Sequence, residues 1–313
     1  MVKLKSIALE NYCGYRKSEI KFVNPEGEPN NLNILYGPNG EGKSTLLRAI
    51  TMISNPFELA TRQQNVAFRK LTYHPDYDPT YQAIYNSEGL KNQFDLKLDA
   101  KFEWKEDSFK NETEERRIIL TNEGVIHNEL PVQKRGYCFF IDADHPNNMN
   151  KFQIPIENAE LFLQMAEVVY GYDCELLYET SQPDPKTGKV LKFYTDFVIN
   201  KARANDITKV YFKRMSDGEK KIATLLRYLC TEDYTGKPSI IVVDNIEMHV
   251  YFKRHGKMID KILRCFPNKQ FFMTTHSGTL IDHIRETYGK HCLFNLEDYV
   301  RNYDLKSSGS TFF

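Results

Sequence analysis

Apolar positions along the chain follow two periods. The opening MVKLKSIALENY alternates like a strand, and Leu32-Asn33-Ile34-Leu35-Tyr36 reads as a short buried one. Leu46, Leu47, Ile50 and Ile53 then recur at helical spacing over residues 43–53. Much later, Ile222, Leu225, Leu226 and Leu229 form an i, i+3, i+4, i+7 stripe that predicts a helix starting near Glu219. Two unbroken runs follow, Ile240-Ile241-Val242-Val243-Asp244 and Phe271-Phe272-Met273-Thr274-Thr275. Both read as strands buried on both faces of a parallel sheet.

The interval between these anchors is less regular. Phe94, Leu96 and Leu98 share one parity, as do Phe102 and Trp104, so NQFDLKLDAKFEW reads as a strand. RRIILTNEGVIHNELPV and GYCFFIDA read the same way, and together they predict an antiparallel β-rich subdomain. IENAELFLQMAEVVYGYDCELLYE reads as an amphipathic helical stretch. Ser181–Lys189 reads as a polar Pro/Gly turn between that helix and a strand, and KSSGSTFF as a flexible tail.

Chemistry enters between the second strand and the first helix. Gly37-Pro38-Asn39-Gly40-Glu41-Gly42-Lys43-Ser44 fits G-x-x-x-x-G-K-[ST], in the strand–loop–helix context that the motif needs. Its glycines let backbone N–H groups turn inward around phosphates, Lys43 adds a point charge, and the Ser44 hydroxyl can ligate Mg²⁺. Asp244, at the end of its strand, is expected beside this loop as a second metal ligand. His276 follows the next strand, where it is placed to sense a γ-phosphate. Ser216 and Glu219 form an S-x-x-E capping box around Gly218; a capped helix start is also an anion site.

Composition narrows the setting. The chain has 313 residues, and its 42 Lys+Arg balance 42 Asp+Glu, so no global basic field argues for nucleic acid. No apolar run approaches membrane-span length, and the N-terminus lacks a signal-peptide core. The six cysteines are scattered without a C-x-x-C pair, which points to free buried thiols in a reducing cytoplasm.

The order of phosphate loop, serine-glycine signature, Asp strand and His strand resembles the ABC-type ATPase heads of the SMC/RecF/OLD group. KLKSIALENYCGYRKSEIKF is similar to that group's opening, with an NFRGF-like turn at Asn11–Tyr15 between two strands. MSDGEKK (Met215–Lys221) stands in the place of the signature motif, VVDNIEMHV in that of the DEPExH pattern of OLD-like members, and TTHS (Thr274–Ser277) in that of the switch-histidine strand.

The resemblance implies an α/β head with a mainly parallel core sheet, an antiparallel β-subdomain, a short helical insertion and no long coiled coil. Residues 1–55 and 205–313 would form the nucleotide-binding core of one domain, with 56–204 inserted. It implies ATP and Mg²⁺ as cofactors. Gly37, Asn39, Gly40, Gly42, Lys43, Ser44 and Thr45 would hold the nucleotide, Ser44 and Asp244 the metal, and His276 would contact the γ-phosphate. Ser216 and Gly218 would complete the site from the second head of an ATP-sandwiched homodimer or higher oligomer. A metal- and water-reaching glutamine is also implied; Gln153, Gln133, Gln63 and Gln64 all compete for that role.

One departure bears on catalysis. The family normally has Glu directly after the strand Asp, and this chain has Asn245. An amide cannot take a proton from attacking water, whereas phosphate electrostatics survive, so slow hydrolysis is expected. Glu247 either substitutes as the base or leaves a nucleotide-gated switch. Too few residues follow His276 for an appended nuclease domain, so a separate effector, a nuclease or toxin, is expected, as in bacterial phage-defence systems. A RecF-like DNA-repair ATPase and a non-hydrolysing ATP-bound scaffold are the alternatives. DNA is therefore a further candidate partner, and the basic clusters at Phe212–Arg214 and Tyr251–Lys257 are where a partner or DNA would contact the chain. Asp142, Asp144 and His145 resemble an isolated D-x-D metal site.

Overall fold

The computed structural model describes residues 2–12, 15–54, 96–105, 111–120, 126–128, 138–142, 152–183, 188–203, 206–231 and 239–300. Phe94, Gln63, Gln64, Gln133, Asp144, His145 and the tail from residue 301 lie outside them. The chain divides into two compact units, Met1–Tyr137 with His291–Phe313, and Cys138–Lys290.

In the first unit, β1 (Val2–Tyr12) pairs antiparallel with β2 (Tyr15–Lys21) and with β4 (Leu96–Lys105). Antiparallel β5 (Asn111–Leu120) and β6 (Ile126–Asn128) extend the same sheet in the order β2-β1-β4-β5-β6. The β-rich middle of the chain thus continues the N-terminal hairpin. A register shift between Leu4 and Ser6 explains why the opening strand buries Val2 and Leu4 on one parity and Ile7 and Leu9 on the other.

The same unit holds β3 (Leu32–Tyr36), which runs parallel to β14 (Leu293–Asn295), and the phosphate loop leads from β3 into α1 (Lys43–Ser54). Leu46, Leu47, Ala49, Ile50 and Ile53 are all fully buried, so the apolar stripe read from the sequence is the packed face of α1.

The second unit is built on three parallel strands, β7 (Cys138–Asp142), β12 (Ile240–Asp244) and β13 (Gln270–Thr274), with β12 in the middle. Every residue of β12 and β13 is buried, as continuous apolar runs require. After β8 (Ile154–Pro155) comes α2 (Ala159–Tyr170), then an antiparallel set of β9 (Asp173–Pro183), β10 (Val190–Arg203) and β11 (Asp206–Tyr211) around β10. Phe152, Phe162, Phe197 and Phe212 pack ring against ring with centroids 5.0–5.6 Å apart, fastening α2 to β10. Three more helices complete the unit: α3 (Asp217–Thr231), α4 (His255–Cys265) and α5 (Gly278–Thr287).

Three expectations change. Cys138–Asp142, expected in the antiparallel subdomain, instead runs parallel to β12, as its unbroken apolar run from Cys138 to Ile141 suits. The stretch from Ile156 is not helical throughout, because Gly171 takes a left-handed φ of 69° and ends α2, after which Asp173–Pro183 pairs with β10. Ser181–Pro183, read as the start of a turn between a helix and a strand, are instead the end of β9, paired with Val190–Lys192, and residues 184–187 lie outside the described residues. Helix α3 starts at Asp217, earlier than the apolar stripe alone implied, because Ser216 caps it. The longest helix among the described residues is α3, at 15 residues, and none is long and apolar enough to cross a membrane.

Candidate nucleotide site

In the first unit, the loop between β3 and α1 has left-handed φ at Gly40 (87°) and Gly42 (76°), which turns its amides into a concave run suited to an anion. Lys43 is buried and its ammonium donates 2.8 Å hydrogen bonds to the carbonyls of Gly37 and Pro38, folding the charge back over the loop. Gly42 is required twice over. Its φ disfavours any side chain, and a β-carbon there would lie 3.0–3.3 Å from the ring of Tyr15. Tyr15 is fully buried, and its hydroxyl donates to the Gly42 carbonyl at 3.1 Å. Tyr15, the first residue of β2, thus braces the phosphate loop, a role that the spacing of the motif did not disclose. Ser44 and Thr45 begin α1 beyond it.

In the second unit, the signature segment is a complete capping box. The Ser216 amide donates to Glu219 Oε2 at 2.9 Å, the Ser216 hydroxyl lies 2.9 Å from the same oxygen, and the Glu219 amide reaches Ser216 Oγ at 3.4 Å. Lys201 pairs with Glu219 Oε1 at 2.6 Å, and the Tyr170 hydroxyl donates to the Glu219 carbonyl at 2.6 Å. Gly218 is packed against the β12 turn, since a β-carbon on it would meet His249 Cβ and Nδ1 at 3.0 Å.

Burial pushes the Glu219 carboxyl up, but the bonds from Lys201 and Ser216 outweigh it and hold the group below its ordinary value of 4.5. The bonded form is the carboxylate, so its stabilisation is present above the unfolded pKa and is lost as pH falls through the folded one. Glu219→Ala is expected to cost roughly 1 kcal/mol at pH 7. Urea titrations should show that difference shrinking as pH drops below 4.5. A difference that is constant with pH would assign the effect to packing.

The ends of β12 and β13 are joined by side chains. Asp244 is buried, and the Thr274 hydroxyl donates to its Oδ1. Thr274 Oγ1 also accepts the Asn245 amide at 2.7 Å. Asn245 has φ 55°, a left-handed conformation that asparagine tolerates better than glutamate. Glu247 Oε1 accepts the His276 amide at 2.6 Å, while its Oε2 is buried with no hydrogen-bond partner among the described residues. A buried carboxylate oxygen without a donor is rare unless it awaits water, a metal or a proton. The His276 side chain is exposed at the end of β13.

Asp244, Asn245, Glu247 and His276 are thus gathered at one end of the second unit's parallel strands. Asp142 pairs in register with Asp244 at the end of β7. Gln153 lies immediately before β8. That Thr274 orients Asp244 is not legible in the sequence. Its signal, a threonine facing the strand-end aspartate one strand away, exists only once the register is known. Among the described residues no cluster of three or more His, Cys, Asp or Glu side chains forms a ready metal cage.

Comparison with known proteins bears on the family and the fold. The profile of the family described as "AAA domain, putative AbiEii toxin, Type IV TA system" matches residues 32–282, and a second profile, described as "AAA domain", matches residues 6–56. The Septu protein PtuA of Bacillus thuringiensis is 21% identical over 318 aligned positions, covering 90% of this chain and 73% of that protein. Among solved structures, the Smc head bound to the C-winged helix domain of ScpA superposes with a TM-score of 0.57 at 12% identity, covering 90% of this chain and 91% of that one. The SMC head domain from Thermotoga maritima gives 0.54 at 15% identity, covering 90% and 92%. These structures share the fold. With a profile match spanning well over half its length, the chain belongs to that AAA-domain ATPase family, built on an SMC/ABC-type head.

Proposed function

We propose that this chain binds ATP with Mg²⁺ and hydrolyses it slowly between two engaged copies, and that the engaged state switches a separate effector in defence against phage. The phosphate loop carries the reading, with its left-handed glycines and the Lys43 ammonium closing over a concave run of amides. Lys43 and the loop amides would hold the β- and γ-phosphates, and Ser44 and Asp244 would hold Mg²⁺, which would neutralise phosphate charge. The Thr274 hydroxyl fixes the Asp244 carboxylate for that task. Glu247, whose Oε2 is buried without a hydrogen-bond partner among the described residues, would act as the base in place of Asn245, whose amide cannot accept a proton from water. His276, exposed at its strand end, would meet the γ-phosphate. The defence role rests on the OLD-like motif order and on the likeness to Septu protein PtuA. The effector, a nuclease or toxin, would be a separate chain, and the cell cytoplasm would be the place of action.

Engagement is tested at Ser216, which is exposed at the start of α3. ATP or a slowly hydrolysed analogue is expected to raise the sedimentation coefficient of the wild type from monomer to dimer or beyond. Ser216→Arg should block that shift while leaving ATP affinity intact. The substitution also removes a cap, so about 1 kcal/mol of stability should go with it. A Ser216→Arg protein that associates normally with ATP would reduce the segment to a helix cap.

A further inference from the structure

We propose that His255 is a positioning residue that ties the turn carrying Glu247 to the loop carrying His276, holding Glu247 Oε2 in its working orientation; this rests on the hydrolysis site proposed above. His255 is the first residue of α4 and is 5% exposed. Its Nε2 lies 2.9 Å from the Val250 carbonyl, at the end of the turn that follows β12. A carbonyl only accepts, so Nε2 carries the proton. Nδ1 lies 2.8 Å from Ser277 Oγ, and in the neutral ring it accepts the hydroxyl proton. Ser277 Oγ then accepts the Leu280 amide at 3.2 Å, capping α5, and sits 2.9 Å from Thr279 Oγ1. One proton arrangement satisfies the whole chain, from Thr279 through Ser277 and His255 to Val250.

The tie has a rigid base. Gly256 lets α4 close on α5, since a β-carbon there would come within 2.7–2.8 Å of the His283 ring. Asp260 on α4 accepts from Tyr288 at 2.7 Å and lies 2.9 Å from His283 Nε2. The two loops are therefore bridged twice, once through His255 and once through the 2.6 Å bond from the His276 amide to Glu247 Oε1. With the first bridge present, the carboxylate need not hold the loops together by itself, and its second oxygen keeps a fixed direction. Loss of that preorganisation affects turnover more than binding, because the phosphate loop that grips ATP is a separate element.

The test compares wild type, His255→Ala, His255→Gln, Ser277→Ala and the His255→Ala/Ser277→Ala double variant. ATP affinity is measured by calorimetry, phosphate release by steady-state kinetics, and amide exchange by mass spectrometry over residues 245–250 and 275–278. His255→Ala is expected to slow turnover by about ten- to a hundredfold with ATP affinity unchanged, and to speed exchange of the His276 amide. His255→Gln, which can still donate to the Val250 carbonyl, should recover part of the rate, and it carries the test if the alanine variant does not fold. The double variant should be no slower than His255→Ala, because both residues act through one link. Unchanged turnover and exchange in His255→Ala would overturn the proposal. So would multiplying losses in the double variant, or a fall in ATP affinity that parallels the fall in rate. Exchange reads the tie without nucleotide. A wild type that releases no phosphate while His255→Ala still speeds exchange would overturn the hydrolysis reading and leave the tie standing.

Discussion

Lys43→Ala is expected to abolish measurable ATP binding, a loss of about a hundredfold or more in affinity. A charge-assisted hydrogen bond is worth about 1.5–3 kcal/mol, and an ammonium over two phosphates makes more than one. The substitution has a second consequence. Lys43 donates to the carbonyls of Gly37 and Pro38, so its loss leaves two loop carbonyls without that donor, and the loop itself should loosen. Lys43→Arg separates the effects: it keeps the charge but cannot fold a planar guanidinium into the same space, and should bind weakly. Calorimetry with ATP and Mg²⁺ decides. Equal affinity in wild type and Lys43→Ala would overturn the nucleotide assignment for this loop.

The second large effect concerns the base. Wild-type turnover is expected to fall below the usual range of roughly 1–1000 per second. Glu247→Gln should lower it by a further factor of about a hundred or more, within the range attributed to general base catalysis. The variant is nearly isosteric. Its amide oxygen can still accept the His276 amide, so the 2.6 Å bond survives while the buried Oε2 is replaced by a group that cannot take a proton. Asn245→Glu should raise turnover by no more than about tenfold, because a glutamate held near φ 55° costs roughly 1 kcal/mol more than an asparagine there. Phosphate release by the three proteins, measured on the ATP-engaged form, tests both statements. Fast wild-type hydrolysis that is insensitive to Glu247→Gln would remove Glu247 from the chemistry and return it to holding the His276 loop.

The elements and motifs that depend on neighbouring residues were determined by the sequence itself. Strands β12 and β13 are runs of apolar residues, β3 is a short one broken by Asn33, and the stripe of α1 repeats every 3.6 residues; their apolar residues from Leu32 to Leu35, along β12 and β13 and on the α1 stripe are buried as the patterns demand. The phosphate loop and the Ser216–Glu219 box are legible for the same reason, since their chemistry lies within a few residues of chain. Tertiary structure alone decided the rest. Gly171 ends the helix locally, but that Asp173–Pro183 then forms a strand depended on β10 being present to pair with it. Tyr15 braces Gly42 across 27 residues of sequence, and Thr274 reaches Asp244 across 30. The bond from His276 to Glu247 spans 29. Such pairs are set by which strands lie side by side and in what register. Residues distant in sequence meet only after the chain has crossed over the sheet and returned, and no local pattern of apolar and polar positions encodes that meeting.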